Sequence, residues 1–358
     1  MPSTYASSLG RIKATLPSFL RKEQFASLVN ARDLSEVTKI LEGTWYGPDV
    51  TAALASTSGA EALELAINRH LVRLCRFAYE VTPFAGRPVV GAYLKRWDIE
   101  NIGLILSAKA YGRPLSETDS FLVSDRQTPA GLSAGVMTLD DLRQLLAQPN
   151  VEGVANQLVK FGYGTLLLQH LDAFAKSQNL FPVLQALQRY YYEHMLESTR
   201  FFQGDEWVVR QFLAGEIDVR NLLTVLKAKD AGLRPEDLAS FFFEGGTLAS
   251  KQLGDLVTQR DIPAIVTTVG ASFPLEEGLG VYRENRSLVG FQAALERLHA
   301  ERSLARMRQY PLSLAGIFAF LLLAEMERSD LRKVIYGKVY GLPNERIQSE
   351  LVNPKVLS

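Results

Sequence analysis

The most suggestive chemical group in this sequence is a histidine and a glutamate that would share one turn of a helix. In "HMLE", His194 and Glu197 stand three positions apart, so both could reach one metal ion from the same helix face. Di-iron bundles use the order Glu-x-x-His, whereas the order here is reversed and the motif occurs once. The reversed order and the single occurrence therefore favour an exposed polar pair over a metal site.

Other motifs that carry chemistry are absent from the sequence. His70, His170 and His299 do not form an HExxH motif with each other or with His194, and a single cysteine, Cys75, rules out a zinc site built on cysteines. There is also no GxxxxGK[ST] phosphate loop and no GxSxG nucleophile turn. We therefore predict that the chain has no catalytic, cofactor-binding or metal-binding residues of its own.

Composition excludes further classes of function. Lys+Arg and Asp+Glu both number 39, so the basic excess that a general nucleic-acid binder needs is missing. One cysteine permits no internal disulfide, which fits a reducing compartment, and we predict Cys75 to be a small buried residue. The longest apolar run, "PLSLAGIFAFLLLA", has 14 residues and is shorter than a membrane span. We interpret it as a buried helix.

The strongest pattern is a helical stretch that occurs three times. "YLKRWDIENIGLILSAKAYGRP" starts at Tyr93, "FLAGEIDVRNLLTVLKAKDAGLRP" at Phe212, and "LLLAEMERSDLRKVIYGKVYGLP" at Leu321. Each copy has an acid, an Asn or Asp, an apolar trio spaced i, i+3, i+4, a lysine and a glycine. The aligned markers are Asp98, Asp218 and Glu327; Asn101, Asn221 and Asp330; Lys109, Lys229 and Lys338; Gly112, Gly232 and Gly341.

These markers have a structural explanation as signals for the two ends of a helix. An acid near a helix start and a lysine near its end both complement the helix dipole, and glycine can close the last turn in a left-handed conformation. Pro114, Pro235 and Pro343 then prevent continuation. For Lys109, Lys229 and Lys338, contact with a partner is the alternative interpretation.

A second repeated element supports the same register. The segments "FASLVNARDLSEV", "LRQLLAQPNVEGV" and "LGDLVTQRDIPAI" each place Asp33, Asn150 or Asp261 between two short helical patterns, where an N-cap acceptor belongs. The separation from this capping residue to the lysine is 76, 79 and 77 residues. We therefore predict an all-α fold of three similar helical domains, at residues 1–122, 123–242 and 243–358. The short β-like patches "RPVVGAYL" and "EWVVRQFL" are predicted to be helical.

The repeated stretches resemble a known family. "YLKRWDIENIGLILSAK", "FLAGEIDVRNLLTVLKAKDAGL" and the segment from Pro311 to Val352 resemble the C subunit of V/A-type ATPases, whose counterpart in the eukaryotic vacuolar enzyme is the d subunit. The third copy departs in having Ser329-Asp330 where the others have Glu100-Asn101 and Arg220-Asn221.

The resemblance implies a funnel of three helical domains about a pseudo-threefold axis. It implies a non-catalytic rotor subunit of the central stalk, present in one copy per complex, on the cytoplasmic face of the membrane. Its implied partners are stalk subunits D and F and the proteolipid ring, with no nucleic acid and no small-molecule substrate. It would couple the stalk to the ring for proton or sodium transport. On this view Lys109, Lys229 and Lys338 lie on a rim that faces partners, and Asp98 and Asp218 lie deeper.

Two other functions stay open on the sequence alone. A helical scaffold of another complex is one, although units of about 115 residues are long for an open repeat array. An all-α enzyme with a scattered active site is the other, and His194 with Glu197 is its nearest candidate.

Overall fold

The computed structural model describes residues 4–118, 121–124, 129–234 and 238–353, and in these residues the fold is helical apart from one short β-hairpin. The all-α prediction is confirmed. The helices, in chain order, are α1 (Ala6–Thr15), α2 (Lys22–Asn30), α3 (Leu34–Glu42), α4 (Gly47–Leu54), α5 (Gly59–Val81), α6 (Arg87–Tyr111), α7 (Leu139–Leu146), α8 (Val151–Gln157), α9 (Gly164–Ser177), α10 (Phe181–Ser198), α11 (Trp207–Asp230), α12 (Ser250–Thr258), α13 (Ile262–Val269), α14 (Glu276–Asn285), α15 (Val289–Met307), α16 (Leu314–Val339) and α17 (Asn344–Glu350).

The chain divides into two compact units. One comprises Leu41–Ser198, and the other comprises Met1–Ile40 together with Thr199–Ser358. In the first unit α6 packs against α10, and in the second α11 packs against α15. The second unit also contains the first helices of the chain, so α1 packs on α16 and α2 on α17. The three predicted domains and their threefold symmetry stay predictions.

The three long helices, α6, α11 and α16, contain the repeated stretches. Large apolar residues are buried at successive positions of α16, for example Phe320, Leu321 and Leu322, which is typical of a helix enclosed by its neighbours. Both β-like patches are helical, at the starts of α6 and α11. Cys75 is buried within α5, as predicted. Among the described residues, no helix has both the length and the apolar character needed to cross a membrane.

The long helices end as predicted, at the repeated glycines. Gly112, Gly232 and Gly341 have φ values of 62°, 69° and 64°, which favour glycine because it has no Cβ. The next residue in each copy donates its N–H to the carbonyl five positions earlier, at 2.8 to 2.9 Å, which defines a Schellman motif. Pro114 and Pro343 follow, whereas Pro235 lies outside the described residues.

The interpretation of the acids as residues near a helix start is wrong. Asp98, Asp218 and Glu327 lie near the middle of α6, α11 and α16, and all three are buried. Their burial gives them a different structural task, which is described below.

Three short helix pairs follow one plan: α2 with α3, α7 with α8, and α12 with α13. The side chains of Asp33, Asn150 and Asp261 accept a hydrogen bond from the N–H three residues later, at 2.8 to 2.9 Å. This geometry confirms all three as N-caps of the second helix in each pair.

One feature of the fold is not anticipated by the sequence pattern. Strands β1 (Leu115–Thr118) and β2 (Phe121–Ser124) pair as an antiparallel hairpin directly after α6. Only four residues long, each strand is too short to show a clear alternation of apolar and polar residues.

Candidate functional site

The repeated markers meet the short helix pairs at three joints. We define a joint as the contact between one long helix and the helix pair that it anchors. The first joint holds α7–α8 on α6, the second holds α12–α13 on α11, and the third holds α2–α3 on α16.

At the first joint the buried carboxylate of Asp98 anchors the main chain just before α7. Its oxygens accept hydrogen bonds from the N–H groups of Val136 and Met137, at 3.0 and 3.1 Å. Met137 directly precedes Thr138, the N-cap of α7. The carboxylate therefore fixes the point at which the helix pair begins.

The other two joints repeat this contact at equivalent positions. Asp218 accepts the N–H of Leu248 at 3.1 Å, and Glu327 accepts the N–H of Leu20 at 2.8 Å. Leu248 and Leu20 again directly precede the N-cap of the short helix. Because Leu20 is 307 positions from Glu327, the third joint ties the start of the described chain to its last long helix.

An amide anchors a second segment at the first two joints. Asn101 accepts the N–H of Leu132 at 2.9 Å and donates to its carbonyl at 2.5 Å. Asn221 accepts the N–H of Phe243 at 2.9 Å and donates to its carbonyl at 2.8 Å. Both side chains are buried, so each satisfies a main-chain donor and acceptor that water does not reach.

The third joint explains why the third copy has aspartate at this position. Asp330 accepts hydrogen bonds from the N–H groups of Val352, at 2.9 Å, and Asn353, at 2.8 Å. Two donors face the side chain, so a group that only accepts is the better fit. The third joint thus receives the C-terminal segment at the amide position and the N-terminal helix pair at the acid position.

Three glycines allow the main chain to approach these side chains. A Cβ on Gly131 would collide with the Asn101 amide, and one on Gly135 or Gly246 would collide with the carboxylate of Asp98 or Asp218. Sequence analysis missed these glycines. Their only signal is their place in "TPAGLSAG" and "FFFEGGT", in the connections after the long helices.

The three lysines complete the joints through hydrogen bonds within this chain. Each half-buried ammonium group donates to a carbonyl in the last turn of the anchored short helix: Lys109 to Leu146 at 2.6 Å, Lys229 to Val257 at 3.3 Å, and Lys338 to Val29 at 2.6 Å. A cation at a helix C-terminus is favourable. Contact of these lysines with a partner stays a prediction.

Because these lysines bind the short helices to the long ones, we predict that a lysine substitution lowers the stability of the isolated chain. Lys229→Met removes the hydrogen bond to Val257, and we expect the free energy of unfolding to fall by about 1 kcal/mol. Lys227→Met is the matched control, because Lys227 lies two residues away on α11 and is exposed. Urea denaturation of both variants measures the difference. Equal stability of the two would show that the joint does not need this ammonium group.

Burial raises the pKa of one carboxylate at each of the three joints. Burial raises the pKa of Asp98 to about 6 from 3.8, against the opposing N–H donors of Val136 and Met137. Burial also raises the pKa of Asp218 and of Asp330, again against hydrogen-bond donors that favour the charged form. These carboxylates therefore hold the joints at a cost in desolvation.

The raised pKa of Asp98 predicts a pH dependence with a definite sign. Between about pH 4 and 6 the folded state binds a proton at Asp98 more tightly than the unfolded state, so folding is favoured as the pH falls. Asp98→Asn cannot titrate. We expect the stability of the wild type relative to this variant to increase by about 2 kcal/mol from pH 7 to pH 4, since at pH 4 the unfolded-state pKa of 3.8 has not yet been passed. Urea denaturation across this range measures it, and parallel curves for the two proteins would contradict it.

In the candidate pair from the sequence, His194 with Glu197, the histidine lies beside Lys95 and Tyr190. The Nε2 atom of His194 lies 3.2 Å from the Nζ atom of Lys95, and its imidazole stacks on Tyr190 with ring centres 5.9 Å apart. Burial, with the nearby Lys95 charge, lowers the pKa of His194. In the described part of the chain, no three His, Cys, Asp or Glu residues are grouped so that they could hold a metal ion.

The structure thus brings each predicted set of markers to one joint with a helix pair. In each copy the acid, the asparagine or aspartate, and the lysine lie on one long helix, while the repeated glycine closes its end. The arrangement is suited to fixing helices rigidly against each other, because every anchor is a side chain that grips main-chain groups.

Comparison with known proteins agrees with this repeated helical plan. Residues 9–350 match the ATP synthase (C/AC39) subunit family. The chain therefore belongs to this family of ATP synthase subunits. It is 34% identical to the C subunit of the A-type ATP synthase of Thermoplasma volcanium, over 99% of both chains. The corresponding protein of Thermoplasma acidophilum is also 34% identical, over 98% of this chain and 99% of that one.

A more distant relative also matches nearly the whole of this chain. The C subunit of the A-type ATP synthase of Methanocaldococcus jannaschii is 26% identical over 98% of this chain and 86% of its own. The resemblance inferred from the repeated stretches is confirmed at the level of the family.

Proposed function

We propose that this chain is a non-catalytic rotor subunit that couples the central stalk of an A-type ATP synthase to the membrane ring. Membership of the ATP synthase (C/AC39) subunit family is the observation that carries this proposal. In the proposed complex, ATP is handled by other subunits and the ring moves protons or sodium ions. The chain is present in one copy, at the cytoplasmic face of the membrane.

The joints support a role in transmitting torque. A coupling subunit must not yield when one partner turns against another, and stiffness requires packed helices with few mobile connections. Here three long helices of 24 to 26 residues each anchor a helix pair through buried side chains. The helix pair of each predicted domain binds the long helix of the domain before it, and the first pair binds the last long helix. The same arrangement at three places supports three repeated units, which we propose to be residues 1–122, 123–242 and 243–358.

The partners in this proposal are stalk subunits D and F and the proteolipid ring. The relatives' names assign them to the A-type ATP synthase as its C subunit, and that assignment supports an assembly partner for this chain. Lys109, Lys229 and Lys338 are proposed to lie near a partner as well as closing the joints. Neither the scaffold nor the enzyme alternative is favoured by a specific contact among the described residues.

Co-purification tests the partners. The tagged chain is expressed with subunits D and F and the proteolipid of the same organism, extracted in mild detergent, purified and analysed by mass spectrometry. We expect D, F and the proteolipid to be recovered together with the chain. A folded chain that retains none of them at several salt concentrations would overturn the proposal.

A further inference from the structure

A cavity of about 350 Å³ lies within the unit formed by Met1–Ile40 and Thr199–Ser358. Its walls are α11, α15, the segment that leads into α12 and the connection between α13 and α14. Sites that bind small molecules have volumes of roughly 300 to 1,000 Å³, whereas one water molecule occupies only about 30 Å³. The cavity is therefore large enough for an organic molecule and not only for a single ion.

Two arginines on α15 line this cavity without an acidic partner. Arg302 and Arg306 are one helical turn apart, so their charges lie close together and repel each other. Among the residues that the structure describes, neither guanidinium group forms an ion pair. Arg302 is held in place, because its Nη2 donates to the carbonyl of Ser272 at 2.8 Å and its guanidinium group lies 5.8 Å from the centre of the Phe273 ring. Guanidinium groups are the side-chain groups best suited to bind a carboxylate or a phosphate.

The helix α11 accommodates a histidine that also lines the cavity. The ring of His299 stacks on Phe212 with centres 5.1 Å apart, and its Nδ1 atom lies 3.4 Å from Oγ of Ser303. A Cβ on Gly215 would lie 2.7 Å from this Nδ1 atom, so the ring can pack here only because α11 has glycine at this position. Glycine is less favourable than alanine inside a helix. The polar lining is therefore an ordered part of the fold.

An acceptor for hydroxyl groups lines the cavity from α11. One oxygen of the Asp218 carboxylate accepts the hydroxyl of Thr247, and the other accepts the N–H of Leu248 at 3.1 Å. Each carboxylate oxygen has a further lone pair. A bare anion would gain nothing from this carboxylate, whereas a hydroxyl group of a bound molecule can donate to it.

We propose that this cavity is a binding site for a small organic anion that also carries hydroxyl groups. The carboxylate or phosphate group of the ligand binds Arg302 and Arg306, and a hydroxyl group donates to Asp218. Such a ligand offsets the repulsion between the two guanidinium groups and connects α11 with α15. Binding is independent of the proposed coupling function, because every group of the site belongs to one unit of this chain.

Isothermal titration calorimetry of the full chain in about 0.15 M salt tests the site, since salt at this concentration screens general charge attraction. The probes are ribose 5-phosphate, which is a phosphate ester with hydroxyl groups, citrate, which is a carboxylate with a hydroxyl group, and inorganic phosphate. We expect one of the two organic probes to bind with at least about tenfold higher affinity than inorganic phosphate. The organic probe that binds more tightly identifies the anionic group as a phosphate ester or a carboxylate.

The variant Arg302→Met with Arg306→Met tests the two arginines. The matched control is Arg283→Met with Arg308→Met, which removes the same charge from two exposed arginines of the same unit that do not line the cavity. We expect the Kd of the organic probe to rise at least about tenfold for the cavity variant and to change less than about twofold for the control. Because all four arginines are exposed, we expect both variants to remain folded, which thermal unfolding checks.

Three results would overturn the inference. The first is that neither organic probe binds at concentrations up to about 10 mM. The second is an equal loss of affinity in the control variant, which would assign binding to the overall charge. The third is equal affinity for inorganic phosphate, since the rest of the cavity would then contribute nothing. None of these results affects the proposed coupling function, which the co-purification with D, F and the proteolipid tests separately.

Discussion

The variant Asn221→Asp is expected to lower the free energy of unfolding by about 3 kcal/mol at neutral pH. The Asn221 amide both accepts the N–H of Phe243 and donates to its carbonyl. A carboxylate cannot donate, so it would face that carbonyl oxygen in a buried site and leave it without a hydrogen bond. Urea denaturation of the isolated chain measures the loss.

The control is the same substitution at a place where it should be harmless. Asn150 accepts only the N–H of Gly153 at the start of α8, is exposed, and has aspartate as its counterpart at Asp261. Asn150→Asp should therefore change stability by less than about 0.5 kcal/mol. If Asn221→Asp were as stable as this control, the amide would not anchor the joint as described.

The variant Gly246→Ala is expected to cost about 3 kcal/mol, close to the upper end for inserting one methyl group into a packed site. The added Cβ would overlap an oxygen of the Asp218 carboxylate and lie 3.1 Å from Ile217 Cγ2. Either the carboxylate must move from its donors, Thr247 and Leu248, or the main chain must shift. Thermal or urea denaturation measures the effect.

A glycine in a neighbouring helix provides a control of opposite sign. Gly254 lies inside α12, and a Cβ there meets nothing within 4 Å. Gly254→Ala should stabilise the chain by about 0.5 to 1 kcal/mol, because alanine favours the helix. A Gly246→Ala protein as stable as Gly254→Ala would show that the close approach to Asp218 is not a constraint.

Features determined by local chemistry could be predicted from the sequence. The helix ends at Gly112, Gly232 and Gly341 and the N-caps at Asp33, Asn150 and Asp261 depend on neighbouring residues, and all were found as predicted. The all-α class follows from the same periodic patterns.

Features that depend on contacts between distant parts of the chain could not be predicted from the sequence. Asp98 lies near the middle of α6, and only the folded chain shows that its carboxylate meets the main chain at residues 136 and 137. The departure of the third copy, Asp330 in place of asparagine, likewise has its reason in donors near the C-terminus. The exposure of Phe84 and Phe201 is also a tertiary property, since apolar residues in a sequence are more often buried.

The joints support the proposal that this chain is a coupling subunit. Its acids, amides and lysines are used to hold helix pairs on long helices, and its family is that of an ATP synthase subunit. In that proposal the contribution of the chain is mechanical, since rotation of one partner must be passed to the other. Loss of the subunit should then leave ATP hydrolysis active but no longer able to drive ion transport.

The most direct measurement follows ATP hydrolysis and ion uptake together in liposomes that contain the A-type ATP synthase assembled with or without this chain. We expect the complex without the chain to hydrolyse ATP but to transport no ions, and we expect transport to return when the purified chain is added back. Ion transport at the full rate, driven by ATP, in the complex that lacks the chain would contradict the coupling function.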